Sequence, residues 1–360
     1  MKQIKSPTIF QALFPIIFLV VLLTINVSVF GDDALSGSMQ IVLILSSAVA
    51  SIIAFNLGFT WLEIQKGIVK SINSSIPSIL ILFLVGSLAG SWLLSGIVPA
   101  FIYYGIQILN AKIFLFAACI ISIVVSMATG SSWTTSATIG IALIGIGRAL
   151  DISDGLVAGA ILSGAYFGDK MSPLSDTTNL APAMAGSDLI SHIKYLSLTT
   201  IPSIIISLII FIILGLNISD NIGLNNAEII SNSILDKFYI SPVLFIVPLV
   251  VIILIYNKIK AVPALFIGVI LGSAFALIFQ SNLVLEVSDS SSNSWKALFS
   301  GTMISLYGSI SIDASNEMVS KLLSSSGMFG MLDTIWLVIC AMIFGGVMEK
   351  AGFLKKIITI

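Results

Sequence analysis

Long apolar runs, separated by short polar stretches, recur along the whole of this 360-residue chain. A helix needs about 20 mostly apolar residues to cross a bilayer. Each run is apolar at successive positions and does not alternate as the strands of a β-barrel would. The runs therefore predict α-helices, which satisfy their backbone hydrogen bonds internally, as a segment in lipid must. The run Val98–Leu109 is too short to cross and predicts a re-entrant or interfacial segment. Eight runs are predicted as spanning helices: Ile9–Phe30, Met39–Thr60, Ile76–Ser95, Lys112–Thr129, Leu196–Leu216, Ile240–Tyr256, Ala261–Phe279 and Met331–Met348.

Two half-apolar stretches, Gly130–Ser191 and Ser294–Gly330, interrupt this series. Both are rich in Gly, Ser and Thr, and both contain acidic residues. The lysine distribution places both ends of the first stretch on the inner side and both ends of the second on the outer side. One polar hairpin entering from each face is typical of an inverted-topology transporter, and two ordinary loops are the alternative.

The predicted fold is an all-α polytopic membrane protein with about 8–10 transmembrane helices, re-entrant hairpins and unwound helices. Composition agrees, because 57% of the residues are hydrophobic and only 9% are charged, against about 25% charged residues in soluble domains. Within this single transmembrane domain we expect a first repeat-like half, residues 1–195, and an incomplete second half, residues 196–360.

The charged residues predict how the chain is oriented in the membrane and give no indication of a nucleic-acid partner. Lys2 and Lys5 precede the first apolar run, so the positive-inside rule places the N-terminus in the cytoplasm. The net charge is only −1, and no extended basic tract indicates nucleic acid. We expect a multi-pass protein of the cell membrane that contacts the lipid bilayer, with a homodimer as an open option.

Charged and polar side chains are concentrated in one segment between apolar regions, Gly164–Ala181. In a bilayer, such a cluster indicates an ion or substrate path, and a solvated cytoplasmic loop is the alternative. Pro173 predicts an interrupted helix between Asp169 and Asp176. A carboxylate can hold Na⁺ or a proton in turn. Asp169 is the second candidate, because Lys170 would pair with it. Asp176 is the first, because oxygen ligands follow it directly: Thr177, Thr178 and Asn179.

A stretch of hydroxyl side chains, Gly130–Ser136, follows directly on an apolar run. We expect the helix to break at Gly130 and to resume near Thr138, which would direct free carbonyls and hydroxyl oxygens into the membrane. Hydroxyls that only hold packed helices together would produce the same pattern.

A second acidic pair, Asp313 and Glu317, lies near Asn316 in the later polar stretch. The four-residue spacing would align both acids on one helix face. These three residues are a candidate second site, and a solvated extracellular turn is the alternative.

Enzyme motifs are absent from the sequence. The chain contains no nucleophile elbow, phosphate-binding loop, dinucleotide fingerprint or zinc-protease motif. His192 is the only histidine, and both cysteines lie within apolar runs, so no metal cofactor is expected. We predict a protein that is not an enzyme.

The stretch Gly164–Tyr195, GAYFGDKMSPLSDTTNLAPAMAGSDLISHIKY, resembles the signature of the NhaC family of Na⁺/H⁺ antiporters. Gly130–Gly147 and Ser311–Met328 resemble two further segments of that family, which also includes sodium-coupled malate/lactate antiporters. The resemblance implies two inverted repeats with re-entrant hairpins. It also implies a set of ion-handling residues: Asp169, Asp176, Thr177, Thr178 and Asn179, with Ser131, Ser132, Thr134 and Thr135 in support.

We therefore expect a secondary active transporter that exchanges Na⁺ for H⁺ across the cell membrane, with no cofactor besides the transported ions. One alternative is sodium- or proton-coupled exchange of a small carboxylate such as malate or lactate. The other is a truncated membrane remnant that does not transport, because members of the family continue past the position of Ile360.

Overall fold

The computed structural model describes residues 5–108, 110–173, 175, 178, 181–182, 187–218, 220–257, 259–289, 294–314, 319–320 and 323–359. Side chains are described for the same residues except 32, 128, 129, 134 and 220–228. In chain order the helices are α1 (Ile9–Phe30), α2 (Ser38–Asn56), α3 (Trp61–Leu94), α4 (Ile97–Ile108), α5 (Ala111–Thr129), α6 (Ser132–Thr135), α7 (Ile141–Ala149), α8 (Asp154–Met171), α9 (Leu189–Leu216), α10 (Asp220–Lys237), α11 (Ile246–Tyr256), α12 (Ala261–Phe279), α13 (Ser281–Val287), α14 (Trp295–Tyr307), α15 (Leu332–Lys350) and α16 (Phe353–Ile358).

Other regular structure in the described part of the chain is short. A π-helical turn, Ser136–Gly140, joins α6 to α7. Two strands of two residues each, β1 (Ile310–Ser311) and β2 (Ser324–Ser325), pair antiparallel between α14 and α15. Turns of 3₁₀-helix occupy Gly31–Ser36, Pro242–Phe245 and Phe329–Met331.

The prediction of an all-α polytopic membrane protein is confirmed. Among the described residues, six helices are long and apolar enough to cross a membrane, or seven if one bent pair counts as a span. The predicted spans Ile9–Phe30 and Ala261–Phe279 agree with α1 and α12 to the residue. The short run predicted as Val98–Leu109 is the twelve-residue helix α4.

Two helices begin earlier than their apolar runs, because polar capping residues start them. Helix α3 begins at Trp61, since Glu63 accepts a hydrogen bond from the Thr60 N–H at 2.8 Å and its own N–H bonds the Thr60 hydroxyl. Helix α9 begins at Leu189, where the Asp188 carboxylate accepts the Ser191 N–H at 3.0 Å. Such caps satisfy the orphan N–H groups of a first turn.

The Asn-rich stretch between the predicted spans Leu196–Leu216 and Ile240–Tyr256 reads as a loop in sequence, but helix α10 occupies most of it. Ile230 and Ile234 lie one helical turn apart, and each is only 1% exposed. Burial of this apolar pair outweighs the weak helix preference of the asparagines.

The predicted span Ile240–Tyr256 is helical from Pro242 onward, and it follows a sharp corner in the chain. The segments Ile229–Lys237 and Pro242–Tyr256 are bent by 87°. The Gln280 side chain holds the corner, since its Nε2 donates to the Tyr239 carbonyl at 2.9 Å and its Oε1 accepts the Tyr239 N–H at 3.1 Å. A sequence pattern shows the apolar run but not the partner that fixes the bend.

The chain forms two compact units, Met1–Leu82 with Gly330–Ile360, and Phe83–Phe329. In the first unit, α1, α2 and α15 pack around Leu57, Ile64 and Phe353. In the second unit, a buried cluster joins α5, α7, α8 and α9. The predicted division into repeat-related halves at residue 195 stays a prediction.

Close packing of α5 against α8 depends on two glycines of α8, Gly164 and Gly168. A Cβ atom at Gly164 would overlap the Cys119 carbonyl oxygen, and one at Gly168 would lie 2.6 Å from the Ser126 Cβ. The Ser126 hydroxyl donates to the Ala165 carbonyl at 2.6 Å across the same interface. Small residues let helices approach in this way where lipid removes the hydrophobic drive for association.

We expect Gly164→Ala to destabilise the purified protein by about 1–3 kcal/mol, because the added methyl group must push two backbones apart. Gly159→Ala on the same helix is the matched control, since a Cβ there meets nothing within 4 Å. Alanine also favours helix over glycine, so Gly159→Ala should be neutral or slightly stabilising. Thermal unfolding in detergent measures both, and equal midpoints for the two variants would contradict the proposed packing.

Candidate functional site

The first break in the helical backbone lies at Gly130, as predicted. Gly130 ends α5 with a φ of +67°, a left-handed conformation that glycine adopts without a Cβ penalty. The chain becomes helical again at Ser132, earlier than the predicted Thr138. The Thr135 hydroxyl explains the difference, because it donates to the Ser131 carbonyl at 2.9 Å and secures the new first turn.

The second break follows Asp169. Helix α8 ends at Met171, and Ser172 is extended, which confirms an interruption next to Pro173. The Ser172 hydroxyl donates to the Met127 carbonyl of α5 at 2.8 Å and thereby ties the two chain breaks together.

A second contact between the two breaks joins two side chains. The Ser132 Oγ donates a hydrogen bond to the Asp169 Oδ2 at 2.7 Å, across 37 residues of sequence. Ser132 is buried, and Asp169 is half-buried. Hydrogen bonds to a charged carboxylate are among the stronger ones in proteins, so this contact orients the carboxylate.

Thr178 closes the end of α8. Its hydroxyl donates to the carbonyls of Asp169 and Lys170, at 3.1 and 3.3 Å, and its N–H bonds the Ser175 hydroxyl at 3.3 Å. The last carbonyls of a helix lack partners within the helix. Thr178 therefore acts as a cap for the chain end that presents Asp169.

Four hydroxyls at the two breaks have their hydrogens engaged. Thr135, Ser136, Ser172 and Thr178 each donate to a main-chain carbonyl. A hydroxyl that donates its hydrogen keeps lone pairs that a hard cation can use. One carboxylate with several hydroxyl and carbonyl oxygens is a ligand set that suits Na⁺.

The structure places some of the predicted site residues and not others. Asp169, Ser131, Ser132, Thr135 and Thr178 lie together at the two breaks. Asp313 is exposed beyond β1, away from any contact with this group among the described residues. Six predicted positions fall outside the described residues or side chains: Asp176, Thr177, Asn179, Thr134, Asn316 and Glu317.

Comparison with known proteins decides the family. The sequence model of the Na⁺/H⁺ antiporter family matches residues 164–359 of this chain, which include the end of α8 and Asp169. The chain belongs to the Na⁺/H⁺ antiporter family. Over all of its length, this family member is 36% identical to the malate-2H⁺/Na⁺-lactate antiporter of Bacillus subtilis and covers 73% of that protein.

Two further relatives are similar over most of the chain. The Na⁺/H⁺ antiporter NhaC of Alkalihalophilus pseudofirmus is 32% identical to this chain. The match spans 89% of this chain and 66% of the NhaC protein. The arginine/ornithine antiporter ArcD of Halobacterium salinarum is 35% identical over 98%, with 70% of its own length covered. No solved structure matches the chain. The family consists of transporters and not of enzymes.

Sequence reasoning missed the parts of this family member that shape the site without carrying charge. Ser122 of α5 is fully buried beside Gly164, and its hydroxyl has no partner among the described residues. The π-helical turn after α6 was also missed, although such turns are frequent at functional sites. Equal four-residue spacing of Ser122 and Ser126 on α5 and of Gly164 and Gly168 on α8 was the available signal.

We expect Thr178→Val to destabilise the protein by about 1–3 kcal/mol, because the two helix-terminal carbonyls of Asp169 and Lys170 each lose a hydrogen bond from the Thr178 hydroxyl. Thr178→Ser keeps the hydroxyl and should retain most of the stability. Thermal unfolding in detergent compares the two variants. If valine and serine shift the midpoint equally, the hydroxyl does not cap α8.

Proposed function

We propose that this chain exchanges Na⁺ for H⁺ across the cell membrane, with the Asp169 carboxylate as a group for which the two cations compete. The observation that supports this most is the 2.7 Å hydrogen bond from Ser132 to Asp169, where two interrupted helices meet. Membership of the Na⁺/H⁺ antiporter family supports the same reaction.

Competition at one carboxylate explains antiport. A proton bound to an Asp169 oxygen removes the negative charge that attracts Na⁺, and bound Na⁺ disfavours protonation of the same group. The site therefore carries one cation or the other. The Ser132 hydroxyl stabilises the charged carboxylate without neutralising it, because it adds a hydrogen bond and no charge. Thr178 and Ser172 hold the chain end that carries Asp169.

Other sequence candidates belong to the same proposal. Asp176, Thr177 and Asn179 follow Asp169 in the stretch that resembles the family signature, and Asp176 is a second carboxylate for the cycle. The candidate second site, Asp313 with Asn316 and Glu317, stays a prediction.

The alternative within transport is exchange of a small carboxylate coupled to Na⁺ or H⁺. It is favoured by the relative that is named a malate-2H⁺/Na⁺-lactate antiporter, which aligns with the whole chain. A membrane remnant that does not transport is the alternative outside transport. The expected cargo is therefore Na⁺ and H⁺, with an organic acid as the open question.

We expect Asp169→Asn to abolish proton movement driven by a Na⁺ gradient, because the amide keeps the size of the side chain and loses the titratable group. The measurement uses inside-out vesicles with a pH-sensitive dye, first with Na⁺ alone and then with malate or lactate added.

Ser132→Ala should raise the Na⁺ concentration for half-maximal response about tenfold, as a charge-assisted hydrogen bond is lost.

Asp154→Asn is the matched control, since this carboxylate lies on the same helix but pairs with Arg148 at 2.6 Å on the surface. It should retain the parental rate. Parental exchange in Asp169→Asn vesicles would overturn the assignment and leave Asp176 as the carboxylate to test. Proton movement only in the presence of malate or lactate would replace the proposal with organic-acid exchange. Parental vesicles without any response would favour the remnant.

We also propose that the N-terminus lies in the cytoplasm, as the lysine distribution predicts. Lys66, Lys350 and Lys355 then lie inside, and the turn that contains Asp33 lies outside. Cysteine introduced at Asp33 should react in intact cells with a thiol reagent that cannot cross the membrane, and cysteine at Lys355 should react only after permeabilisation. Cys119 and Cys340 are buried, so their background labelling is low. The reverse labelling order would invert the orientation.

A further inference from the structure

The N-terminal part of α3 extends beyond what a membrane span requires. Helix α3 has 34 residues and is therefore about 51 Å long, against a hydrocarbon core of about 30 Å. Its apolar part is the C-terminal stretch from Ile76. About four turns before that point must lie in or beyond the headgroup region.

This extension has one face that is packed against protein and one face that is exposed. Its inner face packs on α15, where Ile64 is fully buried and Gly67 and Ile68 contact Lys350 and Gly346. Its outer face is a stripe of residues at helical spacing that line a shallow groove of about 460 Å³. We call this stripe the α3 groove; it consists of Leu62, Gln65, Lys66, Val69, Lys70 and Asn73.

The same end of this unit gathers further positive charge. The Lys5 N–H bonds the Leu57 carbonyl at 2.9 Å, which holds the N-terminal segment against the end of α2. Helix α16 buries Phe353 completely and exposes Lys355 and Lys356. Six exposed lysines stand against two glutamates, Glu63 and Glu349, among the described residues of this end. The lysines are Lys5, Lys66, Lys70, Lys350, Lys355 and Lys356.

Apolar and aromatic side chains are interleaved with these lysines. Leu62 is 60% exposed, Val69 is 50% exposed, and Trp61 at the start of the helix is 59% exposed. Exposed apolar groups of this kind suit acyl chains, and tryptophan suits the interface between acyl chains and headgroups. Lysine ammonium groups above them suit lipid phosphates.

We propose that the α3 groove and the neighbouring lysines of α16 bind the headgroups of anionic phospholipids in the adjoining leaflet. The kind of ligand follows from the charge of the lysines and from the apolar side chains beside them. The lysines require a negative partner, and the exposed Leu62 and Val69 require an apolar one at the same place. An anionic phospholipid supplies both in one molecule. Lys70 is already paired with Glu349 at 2.9 Å, whereas Lys66 has no ion pair with any described residue, so Lys66 is the groove lysine best suited to approach a phosphate.

The test uses Trp61 as a reporter beside the groove. The purified chain is reconstituted in phosphatidylcholine vesicles that contain an equal, minor fraction of brominated phosphatidylglycerol or brominated phosphatidylcholine. Bromine quenches tryptophan on contact, and subtracting the signal of Trp61→Phe isolates Trp61 from the other four tryptophans. We expect brominated phosphatidylglycerol to quench Trp61 several times more efficiently, and choline chloride to reduce this preference by screening.

Removing charge should remove the preference. The triple variant Lys66→Gln/Lys355→Gln/Lys356→Gln should weaken phosphatidylglycerol enrichment about fivefold or more. The matched control is Lys194→Gln/Lys260→Gln/Lys296→Gln, which makes the same charge change at exposed lysines of the other unit and should retain the preference. Equal quenching by both brominated lipids in the parent, or equal loss in both triple variants, would overturn the proposal.

A charge-increasing variant keeps the test decisive if the triple variant fails to fold. Glu349→Gln releases Lys70 from its ion pair and should raise the preference for phosphatidylglycerol above that of the parent. An unchanged or lower preference in this variant would contradict the proposal. Quenching by brominated lipid is measured without transport, so the result tests lipid binding whether or not the chain exchanges Na⁺ for H⁺.

Discussion

The structure around Asp169 depends on one constraint, which is that backbone at membrane depth must find all of its hydrogen-bond partners within the protein. Two breaks in the helical backbone, at Gly130 and after Met171, release carbonyls that the helices no longer satisfy. Side-chain hydroxyls donate to carbonyls at these breaks: Ser172 to Met127, and Thr135 to Ser131 and Thr178 to Asp169 in addition to a backbone N–H. The hydroxyl-rich composition of both stretches follows from this requirement.

The same hydroxyls make the site suitable for a cation. An apolar replacement of equal shape would fill the space but remove a hydrogen bond to a carbonyl. A hydroxyl fills it, satisfies the carbonyl and still presents an oxygen. Close packing of α5 against α8 at Gly164 and Gly168 accompanies the contact between the Ser132 hydroxyl and the Asp169 carboxylate. Under the proposed function, the side chains that support the backbone would also offer oxygen atoms to the cation.

Sequence predicted much of the fold, because apolar length is what a bilayer selects. It gave the limits of α1 and α12 correctly, and Gly130 and Pro173 marked both breaks. It misplaced the starts of α3 and α9, where capping by Thr60 and Asp188 lies outside the apolar run. It also missed the bend held by Gln280 and the helix α10. The contact between Ser132 and Asp169 could not be predicted, because it joins residues far apart in sequence through the packing of α5 on α8.

The choice among the acids of α8 follows from what each one contacts. Asp154, at the start of the helix, receives bidentate hydrogen bonds from Arg148 at 2.6–3.0 Å. A guanidinium with a permanent charge already neutralises that carboxylate, so Na⁺ or a proton would have to displace it. Asp169, at the other end, is bound by a hydroxyl, and among the described residues no ion pair neutralises it. A hydroxyl fixes the carboxylate and leaves its charge available, which is the condition under which two cations can replace each other at one group.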